Sequence, residues 1–134
     1  MNLFVDTSVW SLALRRDRPA ESPEVAFLAR ALESGDAVFT TGLVLQELLQ
    51  GFRGARARER ILERFAALPF LVPDREDHVR AADLRNVCRR RGVQIGTIDE
   101  LLAQLCIRRK LTMLTTDADF ARVARIQPLS LWRE

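Results

Sequence analysis

Apolar positions fall into short, strand-sized runs separated by longer stretches in which apolar residues recur every three or four positions. The runs are Leu3 to Val5, Ala37 to Thr41, Phe70 to Val72, Leu111 to Thr115 and Leu129 to Leu131. Strand-like runs alternating with helical patterns predict an α/β fold: a central, mainly parallel five-stranded sheet flanked by helices, in one domain over residues 1–134. No internal repeat, low-complexity tract or flexible linker interrupts the pattern.

Punctuation between the runs places several helix ends. Ser22-Pro23 opens a helix that Gly35 closes, and Asp74 opens one that Gly92 closes. Gly42 and Gly51 bracket a short helix carrying Glu47. Thr97 and Glu100 match a T-x-x-E capping box, which assigns Glu100 to helix capping. From Ala55 to Phe65, apolar Ile61, Leu62 and Phe65 lie on one side, while Arg53, Arg56, Arg60 and Arg64 follow three- and four-residue steps on another. This segment reads as an amphipathic helix with an arginine stripe, suited to an RNA backbone together with Arg89 to Arg91, or else a solvated face paired locally with Glu59 and Glu63.

Composition narrows the picture. A chain of 134 residues, 48% apolar, is long enough for one domain with a real core and too short for two ordinary ones. No apolar stretch approaches the roughly 18 residues of a membrane span, and the N-terminus lacks the pattern of a secretory signal, so a soluble, cytoplasmic protein is expected. Cys88 and Cys106 form no CxxC and have no neighbouring histidine, which predicts buried free thiols rather than a zinc site. His78, the only histidine, stands in a charged stretch as a solvated side chain and lends no support to histidine acid/base chemistry. The formal charge is +3, and every basic residue except Lys110 is arginine. Guanidinium groups favour phosphate contacts, but the bias has an equal explanation in codon composition and does not by itself establish a nucleic-acid partner.

The acids carry the candidate chemistry. Asp6 directly follows the first run and Asp117 the fourth, Glu47 lies in the helix after the second, and Asp99 begins the helix leading into the fourth. Open parallel sheets bind ligands at the carboxyl ends of their strands, near the point where strand order reverses. Carboxylates gathered there repel one another unless a hard divalent cation neutralises them, so Mg²⁺ or Mn²⁺ is the expected occupant; an oxygen-only donor set argues against structural zinc. Each acid also has an ordinary structural role: Asp6 and Asp117 as turn or N-cap residues, Asp99 as a favourable charge in a first helical turn. Glu47, among Leu45, Leu48 and Leu49, is the hardest to explain structurally.

VDTSVW around Asp6, QELLQG around Glu47, TIDELLAQ around Asp99 and LTTDADF around Asp117, in this order, resemble the PIN-domain ribonucleases, above all the VapC-type toxins of bacterial toxin–antitoxin pairs. The resemblance covers nearly the whole chain. It implies that Asp6, Glu47, Asp99 and Asp117 are the catalytic acids, with Asp6, Asp99 and Asp117 on the metal, and that Thr7 or Ser8 supports the site. Asp119 competes with Asp117 for the metal-facing place. It further implies a metal-dependent endoribonuclease, a VapB-type antitoxin that grips the arginine-bearing helix and its neighbour, and a homodimer. After Asp99 the family often has a small, alanine-rich run, from which Glu100, Gln104 and Cys106 depart. The alternatives are a PIN-like module that binds RNA or protein without cleaving it, and a Mg²⁺-binding receiver-type phosphoacceptor. The receiver reading wants a lysine after a fifth strand, whereas Lys110 precedes the fourth.

Overall fold

Each apolar run becomes a strand of one parallel sheet. The computed structural model describes residues 1–15 and 22–134. In chain order the elements are β1 (Asn2–Val5), α1 (Thr7–Ala13), α2 (Pro23–Ser34), β2 (Ala37–Thr41), α3 (Gly42–Gly51), α4 (Ala55–Ala66), β3 (Phe70–Leu71), α5 (Arg75–Arg90), α6 (Thr97–Arg109), β4 (Thr112–Leu114), α7 (Ala118–Ala124) and β5 (Ser130–Leu131). The sheet order is β3-β2-β1-β4-β5, and every pairing is parallel. Leu3 pairs with Val38 on one side and Thr112 on the other. Strand order therefore reverses at β1, and the crevice outside the ends of β1 and β4 is where such a sheet takes a ligand.

The inner strands are buried, as helix-covered parallel sheets require: Leu3, Phe4, Val5, Met113 and Leu114 are all inaccessible. Trp10 of α1 meets Phe65 of α4 with ring centroids 5.0 Å apart at 52°, a tilted pair worth about 0.5–1.5 kcal/mol beyond its buried area. Free Cys88 and Cys106 are buried in the same core, and His78 is exposed, both as the sequence predicts. No helix among the described residues is long and apolar enough to cross a membrane.

Local chemistry sets most helix ends. Ser22 Oγ accepts from the Val25 amide, Pro23 occupies the first turn, and Gly35 closes α2 at φ 77°. Asp74 caps α5 through a reciprocal pair of bonds with Asp77, and Gly92 follows its end at φ 77°. Gly42 and Gly51 are the terminal residues of α3 rather than its brackets, because the Thr41 hydroxyl supplies the cap.

Two expectations are corrected. The N-cap of α6 is Gly96, so Thr97 is already inside the helix and no T-x-x-E box forms. Thr97 Oγ1 instead accepts from Arg85 Nη1 at 3.3 Å, and Glu100 turns inward and is buried. Arg53 lies outside α4, since Gly54 at φ 97° breaks the backbone ahead of it; the helical stripe is Arg56, Arg60 and Arg64.

Helices α5 and α6 pack antiparallel and are tied at both ends. Arg108 Nη1 reaches Asp74 at 2.8 Å and the buried Asp77 at 2.9 Å, with Arg109 Nη1 3.3 Å from Asp77. At the other end Arg85 Nε lies 3.9 Å from Glu100 Oε2. These ties fix the start of α6, which carries Asp99, relative to α5.

Candidate metal centre

Asp6 is set by the β1–β4 crevice itself. Its amide donates to Leu114 O at 3.0 Å, extending the strand pairing one residue beyond β1. Its side chain caps α1, accepting from the Ser8 amide at 3.4 Å. Ser8 Oγ and Thr115 Oγ1 each donate to Asp6 Oδ2 at 2.8 Å. Those hydroxyls are themselves placed by backbone donors: Thr116 N to Ser8 Oγ and Asp117 N to Thr115 Oγ1, both at 3.0 Å. The three side-chain bonds all fall on Oδ2, so Asp6 is oriented by its surroundings.

Asp117 caps α7, its Oδ1 accepting from the Asp119 amide at 2.9 Å. One carboxylate oxygen each from Asp99, Asp117 and Asp119 lie within 4.8 Å of one another. Burial pushes the Asp99 carboxyl up to about 6, and the negative charges of Asp6, Asp117, Glu47 and Asp119 push the same way. Glu47 is also raised, first by burial and then by Asp6, with the nearby Thr7 hydroxyl opposing. Among the described residues, buried Thr7 Oγ1 has no partner in hydrogen-bonding geometry.

Four acids thus converge on a fifth, Asp99. A cluster with only oxygen donors, whose central carboxyl is pushed up to about 6 by burial and by its neighbours, fits a hard divalent cation that would relieve the repulsion. Asp99, Asp117 and Asp119 form the tightest trio, with Asp6 and Glu47 close enough to be felt. The trio anticipated from sequence was Asp6, Asp99 and Asp117; Asp99 and Asp117 belong to the observed group, Asp119 takes the third place in it, and Asp6 stands outside the group while its charge acts on Asp99. Ser8 fastens Asp6, while Thr7 stands by Glu47. Thr115 is the contributor that sequence reasoning did not single out, although it opens the T-x-D pattern one residue past β4.

The arginine stripe lies elsewhere. Arg60 and Arg64 line a cavity of about 670 Å³ with Asp36, Ala37 and Val38, at the start of β2. This is the amino edge of the sheet, opposite the carboxylates. No ion pair links the stripe to Glu59 or Glu63 among the described residues.

Residues 3–126 match the family model described as PIN domain. The ribonuclease VapC23 of Mycobacterium tuberculosis, in strains CDC 1551 / Oshkosh and ATCC 25618 / H37Rv, is 31% identical over 119 residues, spanning 85% of this chain and 90% of the relative. In fold, the chain is similar to VapBC2 from Rickettsia felis, solved bound to a promoter DNA fragment, with TM-score 0.77 and 20% identity over 98% of each chain. It is also similar to Mycobacterium tuberculosis VapC20, a sarcin-ricin loop cleaving toxin, with TM-score 0.65 and 20% identity over 90% of this chain and 93% of that one.

Proposed function

From the premise that the chain belongs to the PIN-domain family, we propose that it is a VapC-type endoribonuclease, the toxin of a toxin–antitoxin pair, which hydrolyses RNA at its carboxylate cluster using Mg²⁺ or Mn²⁺. The observation that carries this reading is the grouping of Asp99, Asp117 and Asp119, with carboxylate oxygens within 4.8 Å of one another, at the carboxyl edge of the sheet where strand order reverses. Asp99, Asp117 and Asp119 would hold the cation, with Asp6 and Glu47 adding negative charge beside it. A bound divalent ion supplies water activation at neutral pH and neutralises charge on the phosphoryl oxygens. The protein's own residues do the rest: Ser8 and Thr115 lock Asp6, and Asp6 or Asp99 orients the attacking water and takes its proton.

The groove lined by Arg60 and Arg64 is assigned to the antitoxin, because it faces away from the carboxylates that RNA must reach. The working unit is a cytoplasmic homodimer. A receiver-type phosphoacceptor does not fit, since Lys110 closes α6 ahead of β4, at the edge away from the acids.

The test is incubation of the purified chain, freed of antitoxin, with total cellular RNA and Mg²⁺ or Mn²⁺. Discrete fragments that vanish with EDTA and with Asp6→Ala are expected. A folded wild-type chain that leaves RNA intact with both metals would transfer the reading to a non-catalytic binding module.

A further inference from the structure

Next to the carboxylate cluster lies a second cavity, of about 440 Å³, lined by Arg85, Arg89, Val93, Gln94, Ile95, Gly96 and Asp119. Arg85 and Arg89 are four residues apart on α5 and so share one face of the helix. The opposite wall is the segment entering α6, whose N-cap, Gly96, offers no side chain to the exposed amides of the first turn. The one acid in the lining is Asp119, which also belongs to the trio with Asp99 and Asp117. The cavity and the cluster therefore share a wall.

The two guanidinium groups are held rather than loose. Arg85 donates from Nη1 to Thr97 Oγ1 at 3.3 Å, and its Nε stands 3.9 Å from Oε2 of the buried Glu100. Arg89 Nη2 donates to Asn86 Oδ1 at 2.8 Å. Glu100 Oε1 is buried with no partner among the described residues, so this acid is kept inside without a full set of bonds. An acid placed behind Arg85, together with the Thr97 bond, limits the arginine's freedom before any ligand arrives, which lowers the entropy lost on binding.

We infer that this cavity is an RNA-phosphate subsite, in which Arg85 and Arg89 hold the backbone phosphate flanking the scissile one and Glu100 acts as the positioning residue for Arg85. The inference rests on the ribonuclease reading for the identity of the polymer. RNA is favoured over an acidic protein tail because the shared Asp119 wall makes the cavity continuous with the place where a scissile phosphate must sit. A strand delivering one phosphate to the cluster brings its neighbour to the arginines, and guanidinium forks suit that group.

The experiment measures binding of a short, labelled, single-stranded RNA to the full chain in EDTA, by fluorescence anisotropy between about 50 and 200 mM salt. Arg85→Gln and Arg89→Gln are each expected to weaken binding, and the double variant to flatten the log–log salt slope by about 0.7 for each phosphate no longer neutralised. In Mn²⁺ the same variants raise KM with kcat retained, the signature of weakened substrate binding rather than impaired chemistry. Arg85→Gln removes the counter-charge of Glu100; if thermal melting shows that variant unfolded, Arg89→Gln, which keeps the ion pair, decides. Wild-type affinity and slope in folded Arg89→Gln and in the double variant would overturn the subsite. Wild-type protein that binds RNA but cleaves with neither metal, while the arginine variants lose affinity, would instead remove the ribonuclease reading and leave the subsite standing.

Discussion

Asp99 concentrates the electrostatic cost of the site: it is partly buried and feels four other carboxylates. Removing its charge relieves the metal-free fold and removes the centre of the cation site. Asp99→Asn is therefore expected to raise the Tm of the metal-free chain by roughly 2–6 °C while abolishing cleavage. A lowered Tm in EDTA would show that Asp99 is a structural residue rather than a repelled one. The hydroxyls behind Asp6 make a graded prediction. Ser8→Ala and Thr115→Val should each reduce metal affinity or activity by about 10–100-fold, as the loss of groups that orient ligands does, with melting little changed. Calorimetric titration with Mn²⁺ alongside RNA cleavage checks both. Asp6 and Asp117 were legible because each sits at the junction of an apolar run and a helix, and Glu47 because it stands among leucines inside a short helix. Thr115 was not, since a β-branched residue ending an apolar run reads as part of the strand. Glu100 was misread for a related reason: T-x-x-E has capping meaning only when the threonine stands at the N-cap, and here the helix starts one residue earlier.

The antiparallel pair α5 and α6 is the element that carries Asp99 into place, and its fastening has a pH signature. For Asp77, burial acts to raise the carboxyl, but bonds from the Asp74 amide, Arg108 and Arg109 outweigh it and hold the group at about 2, against an ordinary 3.8. A carboxyl lowered in the folded state contributes stability that is complete above the unfolded value of 3.8 and is lost as pH falls towards about 2. Urea melts across that window should show wild type losing stability more steeply than Asp77→Asn; parallel curves would mean that Asp77 titrates alike in both states. Arg108→Ala leaves buried Asp77 with Arg109 as its one remaining cation, beside the Asp74 amide. Because Arg108 is itself partly exposed, the loss is set below that of a fully buried pair, and a lower urea midpoint at neutral pH is the expected result. Elements of this kind were legible wherever the controlling chemistry is local. Ser22 with Gly35, and Asp74 with Gly92, set helix ends through bonds within a turn. The strands followed from apolar runs, shortened where a run outlasted its partner: Val72 is 76% exposed beyond β3. The reach of Arg108 across to Asp77 spans 31 residues and leaves no trace in a local pattern.

At the scale of the whole molecule, the all-parallel order β3-β2-β1-β4-β5 separates two kinds of surface. Everything that follows a strand, including Asp6, Thr115 and Asp117, gathers at one edge; what precedes a strand, such as Asp36, gathers at the other. A net charge of +3 averages over both and hides the difference. Sequence periodicity placed Arg56, Arg60 and Arg64 on one helix face but left open whether that face serves RNA or antitoxin, because the edge it occupies depends on topology. The structure puts Arg60 and Arg64 at the edge away from the acids, and Arg64 also lines the adjoining cavity of about 350 Å³ with Trp10, Leu28 and Leu32. An arginine over an apolar groove is the type of residue that dominates protein interfaces. Arg64→Glu is accordingly expected to weaken capture of the cognate antitoxin at least tenfold, about 1.4 kcal/mol, while the salt slope of RNA binding stays at its wild-type value. Arg85 and Arg89 should behave in the opposite sense, altering the RNA slope. If Arg64→Glu flattens the RNA slope and leaves antitoxin affinity intact, the stripe belongs to the substrate after all, and RNA must wrap from one edge of the sheet to the other.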